Sequence, residues 1–303
     1  MSSAADIGSF VSVVVPVYEE EGGLERCLRS LEAQAWPHDR YEVVVVDNGN
    51  TEELAPRVAS FPHVELVVED RPGSFAARNR GVAASRGDVL AFTDCDCIAD
   101  TGWIQGGVEA LQRQGGGVIA GEVDMFVENP ERTTMWDLHD LAWGVPQRDL
   151  VERLQCAATA NAFTTRAVFD RLGGFDPNIF SNGDREFGIR AVRAGLPMSV
   201  AEKARVGHPT RSSFRAFLKR RRRITGGFHQ LKLILDAKYP GHDYDVPCKL
   251  RHSLWRAFVR DPGHPQVRTR WNRLRFGVAE MTLYFITLFE MWRLELGGHP
   301  VRK

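Results

Sequence analysis

Residues 88–96 read DVLAFTDCD, and how this stretch is understood decides the fold. Val89-Leu90-Ala91-Phe92 is a continuous apolar run, closed by two aspartates one residue apart, Asp94 and Asp96. Apolar residues at successive positions suit a strand covered on both faces. The carboxylates that follow do nothing for burial. Each must stay hydrated or find a cation, and two so close repel unless positive charge stands between them.

The same pattern recurs on either side. VSVVVPV (11–17) is a β-branched run, and GGLERCLRSLEAQ after it sets Leu24, Leu28, Leu31 and Ala35 at helical spacing. YEVVVVDNGN predicts a second strand ending in polar residues. TEELAPRVASF predicts a weaker helix interrupted by Pro56, and HVELVVE a short third strand. SFAARNRGVAAS predicts the helix that leads into 88–96. Strands alternating with helices, each strand apolar throughout, predict an α/β fold with a mostly parallel sheet and helices on both faces. Ligands of such sheets gather beyond the carboxyl ends of the strands. Here those ends are Pro16 to Glu20, Asp47 to Asn50, and Asp94 to Asp96, expected on one edge. No GxGxxG follows the first strand, so the dinucleotide fingerprint is absent.

Beyond residue 100, GGGVIAGEVDMFV (115–127) predicts a strand in a mixed portion of sheet. Residues 128–155, rich in Trp, charge and turn residues, read as a long surface excursion. DREFGIRAVRAG predicts a helix capped by Gly195 before Pro197. From about 211 the chain becomes basic and helical, so the expected division is an α/β domain over 1–210 and a helical C-terminal extension over 211–303.

The chain of 303 residues carries 39 basic and 39 acidic side chains, so no global field draws it to nucleic acid. Five cysteines without framework spacing favour a reducing compartment. MSSAADIGSF lacks the charged-then-apolar pattern of a signal peptide. No apolar run approaches the ~20 residues of a spanning helix. These features predict a cytoplasmic protein, soluble or peripheral at the inner face of a membrane.

PVYEE (16–20), VVDNGNTE (45–52), RPGSFAARNRG (71–81), FTDCD (92–96), NAF with GGFD (161–176) and GDREFGIRAVRAG (183–195) resemble, in order and spacing, glycosyltransferase family 2 of the GT-A fold. Each motif alone is weak; the resemblance rests on six in sequence over about residues 10–210. It implies a metal-dependent inverting enzyme that moves one sugar from a nucleotide-sugar donor, UDP-sugar favoured, to an acceptor hydroxyl. The acceptor would be a glycan, a lipid-linked sugar or a small molecule. The QxxRW motif and membrane helices of processive relatives are missing, which implies one sugar per encounter.

Residue by residue, the resemblance makes Asp94-Cys95-Asp96 a DxD motif. Asp94 would face ribose or metal, and Asp96 with His208 would hold Mn²⁺ or Mg²⁺. A divalent cation bound to phosphate needs only one or two protein carboxylates. Asp47 would accept a hydrogen bond from the base, with Pro16, Val17, Tyr18 and Glu20 lining base and ribose. Arg78 would reach the nucleotide or diphosphate, and Asn161 the donor sugar. Asp184 falls on the family's catalytic aspartate and would take the proton from the attacking hydroxyl. Two positions depart from the family pattern: Asn48 replaces a second aspartate and Gly183 a glutamate.

Each residue also has a plainer reading. Asp184 would cap a helix, Arg78 would form a surface ion pair, Asn161 would be a turn amide, and His208 would be structural. The alternative at the level of function is a non-catalytic nucleotide-sugar-binding module of the same fold.

Where the resemblance stops, FRAFLKRRRRITGGF (214–228) predicts a helix with arginines largely off its apolar face. Phe276, Met281, Leu283, Tyr284, Leu288 and Trp292 lie in a segment too apolar for an ordinary exposed helix. Such a segment suits burial within the chain, a homodimer contact or a peripheral membrane contact.

Overall fold

The computed structural model describes residues 10–19, 22–50, 53–240 and 264–300. They form two compact units. The first takes the described residues up to Asp124, with Val145–Asn178 and Gly183–His208; the second takes Met125–Gly144, Ile179–Asn182 and the described residues from Pro209 onward. The second unit thus includes two segments that precede the C-terminal extension in sequence.

In the first unit the chain runs β1 (Val11–Val17), α1 (Leu24–Glu32), β2 (Tyr41–Asp47), α2 (Ala55–Val58), β3 (Val64–Val68), α3 (Ser74–Ala84), β4 (Val89–Thr93), β5 (Ile98–Ala99) and α4 (Trp103–Gln114). β6 (Val118–Phe126) follows and ends in the second unit, where α5 spans Met135–Trp143. The chain re-enters the first unit with α6 (Gln147–Leu154), β7 (Asn161–Thr165), α7 (Arg166–Leu172), α8 (Gly183–Arg193) and β8 (Met198–Pro209). The sheet order is β3-β2-β1-β4-β7-β6-β8-β5. β3, β2, β1 and β4 are parallel, while β7 runs antiparallel to both β4 and β6. This is the mixed, mostly parallel sheet expected from the apolar runs.

Both faces of β1 are covered, because Val13, Val14, Val15 and Val17 are all inaccessible. Val13 and Val15 join one core cluster with Leu24, Leu28 and Leu31 of α1; Val14 joins the other with Phe75 and Val82 of α3. α3 lies so close to the sheet that a Cβ at Gly81 would come within 2.5 Å of Val14 Cγ1. Any larger residue there would push the helix away from β1.

The surface excursion expected over 128–155 holds for residues 128–132, which are exposed, and for α6, where Gln147 alone is buried, but not for α5. Thr134 and Asp137 form a reciprocal capping box that starts α5. Trp136 and Leu138 of that helix are buried. The second unit continues with α9 (Phe214–Lys238) and α10 (Arg270–Glu295). Phe217 of α9 and Ala279 of α10 pack on Trp136, and Phe276 packs with Leu138 and Val267.

The arginines of α9 also differ from expectation, since three of them face protein. Arg220 pairs with buried Asp140 at 3.0 Å, Arg221 donates to Thr287 at 2.7 Å, and Arg222 pairs with buried Glu290 at 3.1 Å. Sequence periodicity could not show this, because the partners lie on α5 and α10.

Candidate active site

β4 and β5 fix the paired aspartates. The chain leaves β4 at Thr93 and turns, the Cys97 N–H donating to the Asp94 carbonyl at 3.1 Å. It then re-enters the sheet as β5, which pairs antiparallel with β8 so that Ile98 lies opposite Gly207. That register brings His208 beside the turn. His208 Nε2 lies 3.7 Å from Asp96 Oδ1 and 4.0 Å from Asp94 Oδ2. His208 is buried, while the side chains of Asp94 and Asp96 are 34% and 38% accessible, open to a ligand.

Donor atoms of Asp96, Cys97 and His208 lie within 4.8 Å of one another, the one such group among the described residues. Carboxylate oxygen and imidazole nitrogen suit Mn²⁺ and, through the oxygens, Mg²⁺. Cys97 suits neither. Burial, then the charges of Asp94 and Asp96, push its thiol well above the ordinary range, and a protonated thiol is a poor ligand.

Arg78, on α3, is buried, and its Nη2 donates to Asp94 Oδ1 at 2.6 Å. The exposed ion pair of the plainer reading is therefore excluded. Its Nε is buried without a hydrogen-bond partner among the described residues. A buried guanidinium with an unused donor beside a carboxylate turn suits an incoming phosphate.

Asp184 stands in the first turn of α8, partly buried. Burial raises its pKa above the ordinary 3.8, although N–H donors from Arg185 and Thr159 and the positive charge of Arg78 pull it down. The Arg185 N–H donates to Asp184 Oδ1 at 2.9 Å. Arg78 thus pairs with Asp94, and its positive charge also favours the ionised form of Asp184. The other acid of this helix, Glu186, is 1% accessible and paired with Arg190 at 2.7 Å. Arg190 also donates to the carbonyls of Leu172 and Gly174, so Glu186 holds the preceding turn in place.

Asp47 ends β2, and every hydrogen bond to its carboxylate from the described residues falls on Oδ1. The donors are the N–H groups of Gly49 and Asn50 and the Asn50 side chain, at 2.7–3.1 Å. Pro16 and Val17 close β1 in register with Val46 and Asp47. Tyr18 follows on the same edge, its hydroxyl donating to Glu19 at 2.6 Å. Glu20 lies outside the described residues.

Asn161 is corrected. It is fully buried, its Nδ2 donates to the Glu122 and Ala204 carbonyls, and its Oδ1 accepts from Trp103 Nε1. The amide locks β7 to its neighbours and has no donor left for a sugar. Asp176 accepts from the N–H and side chain of Asn178, closing a turn.

Both departures from the family pattern have local causes. Asn48 Nδ2 donates to the Glu69 and Arg71 carbonyls while its Oδ1 accepts from Gly73. An aspartate could not donate to those two carbonyls. At Gly183 a Cβ would meet the Phe75 ring at 2.7 Å, so any side chain there would collide with the base of α3. Cys156 was missed altogether. It is buried against Asp184, and burial together with that carboxylate pushes its thiol well above the ordinary range.

A mostly parallel sheet with a metal-capable carboxylate turn at the end of β4 and an acid opening α8 is the arrangement of a GT-A glycosyltransferase. The chain matches the family described as "Glycosyl transferase family 2" over residues 12–173. It is 32% identical over 230 residues to "Glycosyltransferase AglE" of Haloferax volcanii, covering 74% of this chain and 75% of that protein. The chain belongs to glycosyltransferase family 2.

Among solved structures it resembles a Pyrobaculum calidifontis mannosyltransferase in complex with GDP-Man and Mn²⁺, at TM-score 0.61 and 18% identity, over 93% of this chain and 87% of that one. It also resembles GalNAc-T7 with UDP, GalNAc and Mn²⁺, at TM-score 0.53 and 19% identity, over 67% of this chain and 44% of that one. Both likenesses support the fold. Among the described residues, no helix is long and apolar enough to cross a membrane.

Proposed function

We propose that this glycosyltransferase is metal-dependent and inverting, and that it moves one sugar from a nucleotide-sugar donor to an acceptor hydroxyl. The acceptor class is a glycan, a lipid-linked sugar or a small molecule. One observation supports the reading: buried Arg78 donates to Asp94 at 2.6 Å beside the Asp96–His208 group, and its charge reaches Asp184.

Asp96 and His208 would hold Mn²⁺ or Mg²⁺, which when bound supplies positive charge to the leaving diphosphate. Arg78 adds a fixed cation whose unused Nε aims to bond a phosphate oxygen. Asp184 accepts the proton of the acceptor hydroxyl as that oxygen attacks the anomeric carbon. The bond from that carbon to the diphosphate breaks, and configuration inverts. Its raised pKa makes Asp184 a better proton acceptor than an ordinary aspartate.

Asp47 favours a base with one donor. Its Oδ1 is consumed by its own loop, leaving Oδ2 for a single N–H such as N3–H of uracil. Guanine presents two adjacent donors and would ask for both oxygens. This supports a UDP-sugar, although a mannosyltransferase of the same fold carries GDP-Man.

Thermal-shift titration with UDP, GDP and dTDP in the presence of Mn²⁺ tests the base. A ligand at 100 times its Kd stabilises by ~2.7 kcal/mol, so a preference is visible. Release of nucleoside diphosphate from a UDP-sugar, lost in Asp184→Asn while UDP binding survives, is the result expected of an enzyme. UDP binding with no turnover under any acceptor tried would favour a binding module.

A further inference from the structure

α10 has two apolar faces. One is used within its own unit, where Phe276, Ala279 and Leu294 are buried. The other is exposed. Trp271, Leu274, Val278, Phe285, Leu288 and Trp292 are between 39% and 66% accessible. With Met281 between them they recur at alternating steps of three and four residues, filling the a and d positions of three heptads. Phe289 and Leu296, at 60% and 68%, widen the stripe. No charged side chain interrupts the a and d positions from Trp271 to Trp292.

We propose that this seam is a dimer interface, α10 pairing antiparallel with α10 of a second copy of the chain about a twofold axis. A period of 3.5 residues is what keeps a seam facing a partner helix along its length. Layering each a against a d sets Leu274 against Trp292, Val278 against Leu288, and Met281 against Phe285. Glu295, the next d position, then falls beside Trp271 of the second copy, flanked by Arg270. Both charged residues are exposed. A parallel pair would instead set Glu295 against Glu295.

The area also fits. Four aromatics about three-fifths accessible, at roughly 150–250 Å² each, offer on the order of 500 Å². The aliphatic residues bring each copy near the ~800 Å² of a standard interface.

A lipid surface is the poorer occupant. Arg220, Arg221 and Arg222 are turned to Asp140, Thr287 and Glu290. Arg275, which flanks the seam, is turned to the Thr133 carbonyl and Asn272. The other flanking positions between Leu274 and Trp292 are uncharged.

Sedimentation velocity on the full chain from ~1 to ~100 μM tests the proposal, because a self-associating chain shifts with concentration. The expected result is a monomer–dimer equilibrium that Phe285→Ser or Trp292→Ser weakens by roughly thirtyfold or more, with circular dichroism unchanged. Chains carrying Met281→Cys and Phe285→Cys, mixed and oxidised, should cross-link above the wild-type background, and Trp271→Cys chains should not cross-link to one another. A monomer at every concentration overturns the proposal, as does a dimer indifferent to both serine variants. Cross-linking of Trp271→Cys chains overturns the antiparallel order. A monomer that sediments with anionic phosphatidylserine vesicles assigns the face to lipid instead.

Discussion

The acids of the candidate site in the first unit and two acids of the second unit meet opposite surroundings. In the first, Asp94 and Asp96 stand about a third exposed at a strand end, and Asp184 is raised by burial. In the second, Asp140 and Glu290 are inaccessible and fully matched. Asp140 is bound by Arg211, Arg220 and His139, and Glu290 by Arg222 and Arg293. Those partners hold Asp140 well below the ordinary carboxylate range, although burial alone would raise it. Burial in turn pulls Arg220 down to about 10. An acid whose partners lie inside the chain supports the fold. An acid held part-exposed at a strand end is open to a ligand, and one whose burial outweighs its partners costs stability.

The sharpest way to break this contrast is to neutralise one acid of each kind. Asp184→Asn should lower turnover by roughly 10²–10⁴ with donor affinity nearly intact, the range for losing a general base. Its melting temperature should hold or rise. The raised carboxylate costs stability above its folded pKa and costs nothing below 3.8, where both states are protonated. For the same reason, wild-type turnover at saturating Mn²⁺ should fall on acidification at a pH above the ordinary aspartate value. A fall in stability with turnover within a few-fold of wild type would return Asp184 to a capping role.

Asp140→Ala should do the reverse. Stranding Arg220 in a buried site should lower stability by about 3–5 kcal/mol, measured by urea unfolding. Stability close to wild type would mean that solvent reaches the site and the network is not holding the unit.

A smaller effect should follow from pH. Burial lowers the His139 pKa, but Asp140 and Glu280, at 3.4 and 3.1 Å, more than offset it and the net shift is upward. A raised histidine contributes stability that is complete below 6.5 and lost as pH rises through its folded pKa. Asp140 contributes above 3.8 and loses that contribution at lower pH. The wild type should therefore melt at lower temperature at about pH 8.5 than at about pH 5.5, and His139→Gln should flatten that difference. An unchanged slope in the variant would assign the pH dependence elsewhere.

The sequence shows the first unit better than the second because its signals are local. Apolar runs mark β1, β2 and β4, and aspartates useless for burial mark the site. What was hidden depends on distant partners. β5 is two residues long, yet its pairing brings His208 to Asp96. Asn161 was read as a sugar contact because its partners, Trp103, Glu122 and Ala204, come from three separate segments. Gly183 looked like a lost catalytic neighbour until the Phe75 ring occupied its space. In the second unit, α5 looked like surface because the partners of its polar residues come later in the chain: Asp140 meets Arg211 and Arg220, and His139 meets Glu280 of α10.

If the turn after β4 binds a nucleotide through a cation, Asp96 is needed for the effect of Mn²⁺ on that binding. Calorimetric titration of UDP into wild type and Asp96→Ala, with and without Mn²⁺, tests it most directly. Mn²⁺ should tighten binding to the wild type and have no effect on Asp96→Ala, whose melting temperature without ligand should stay near wild type. UDP binding equally tightly to the wild type with and without Mn²⁺ would contradict it.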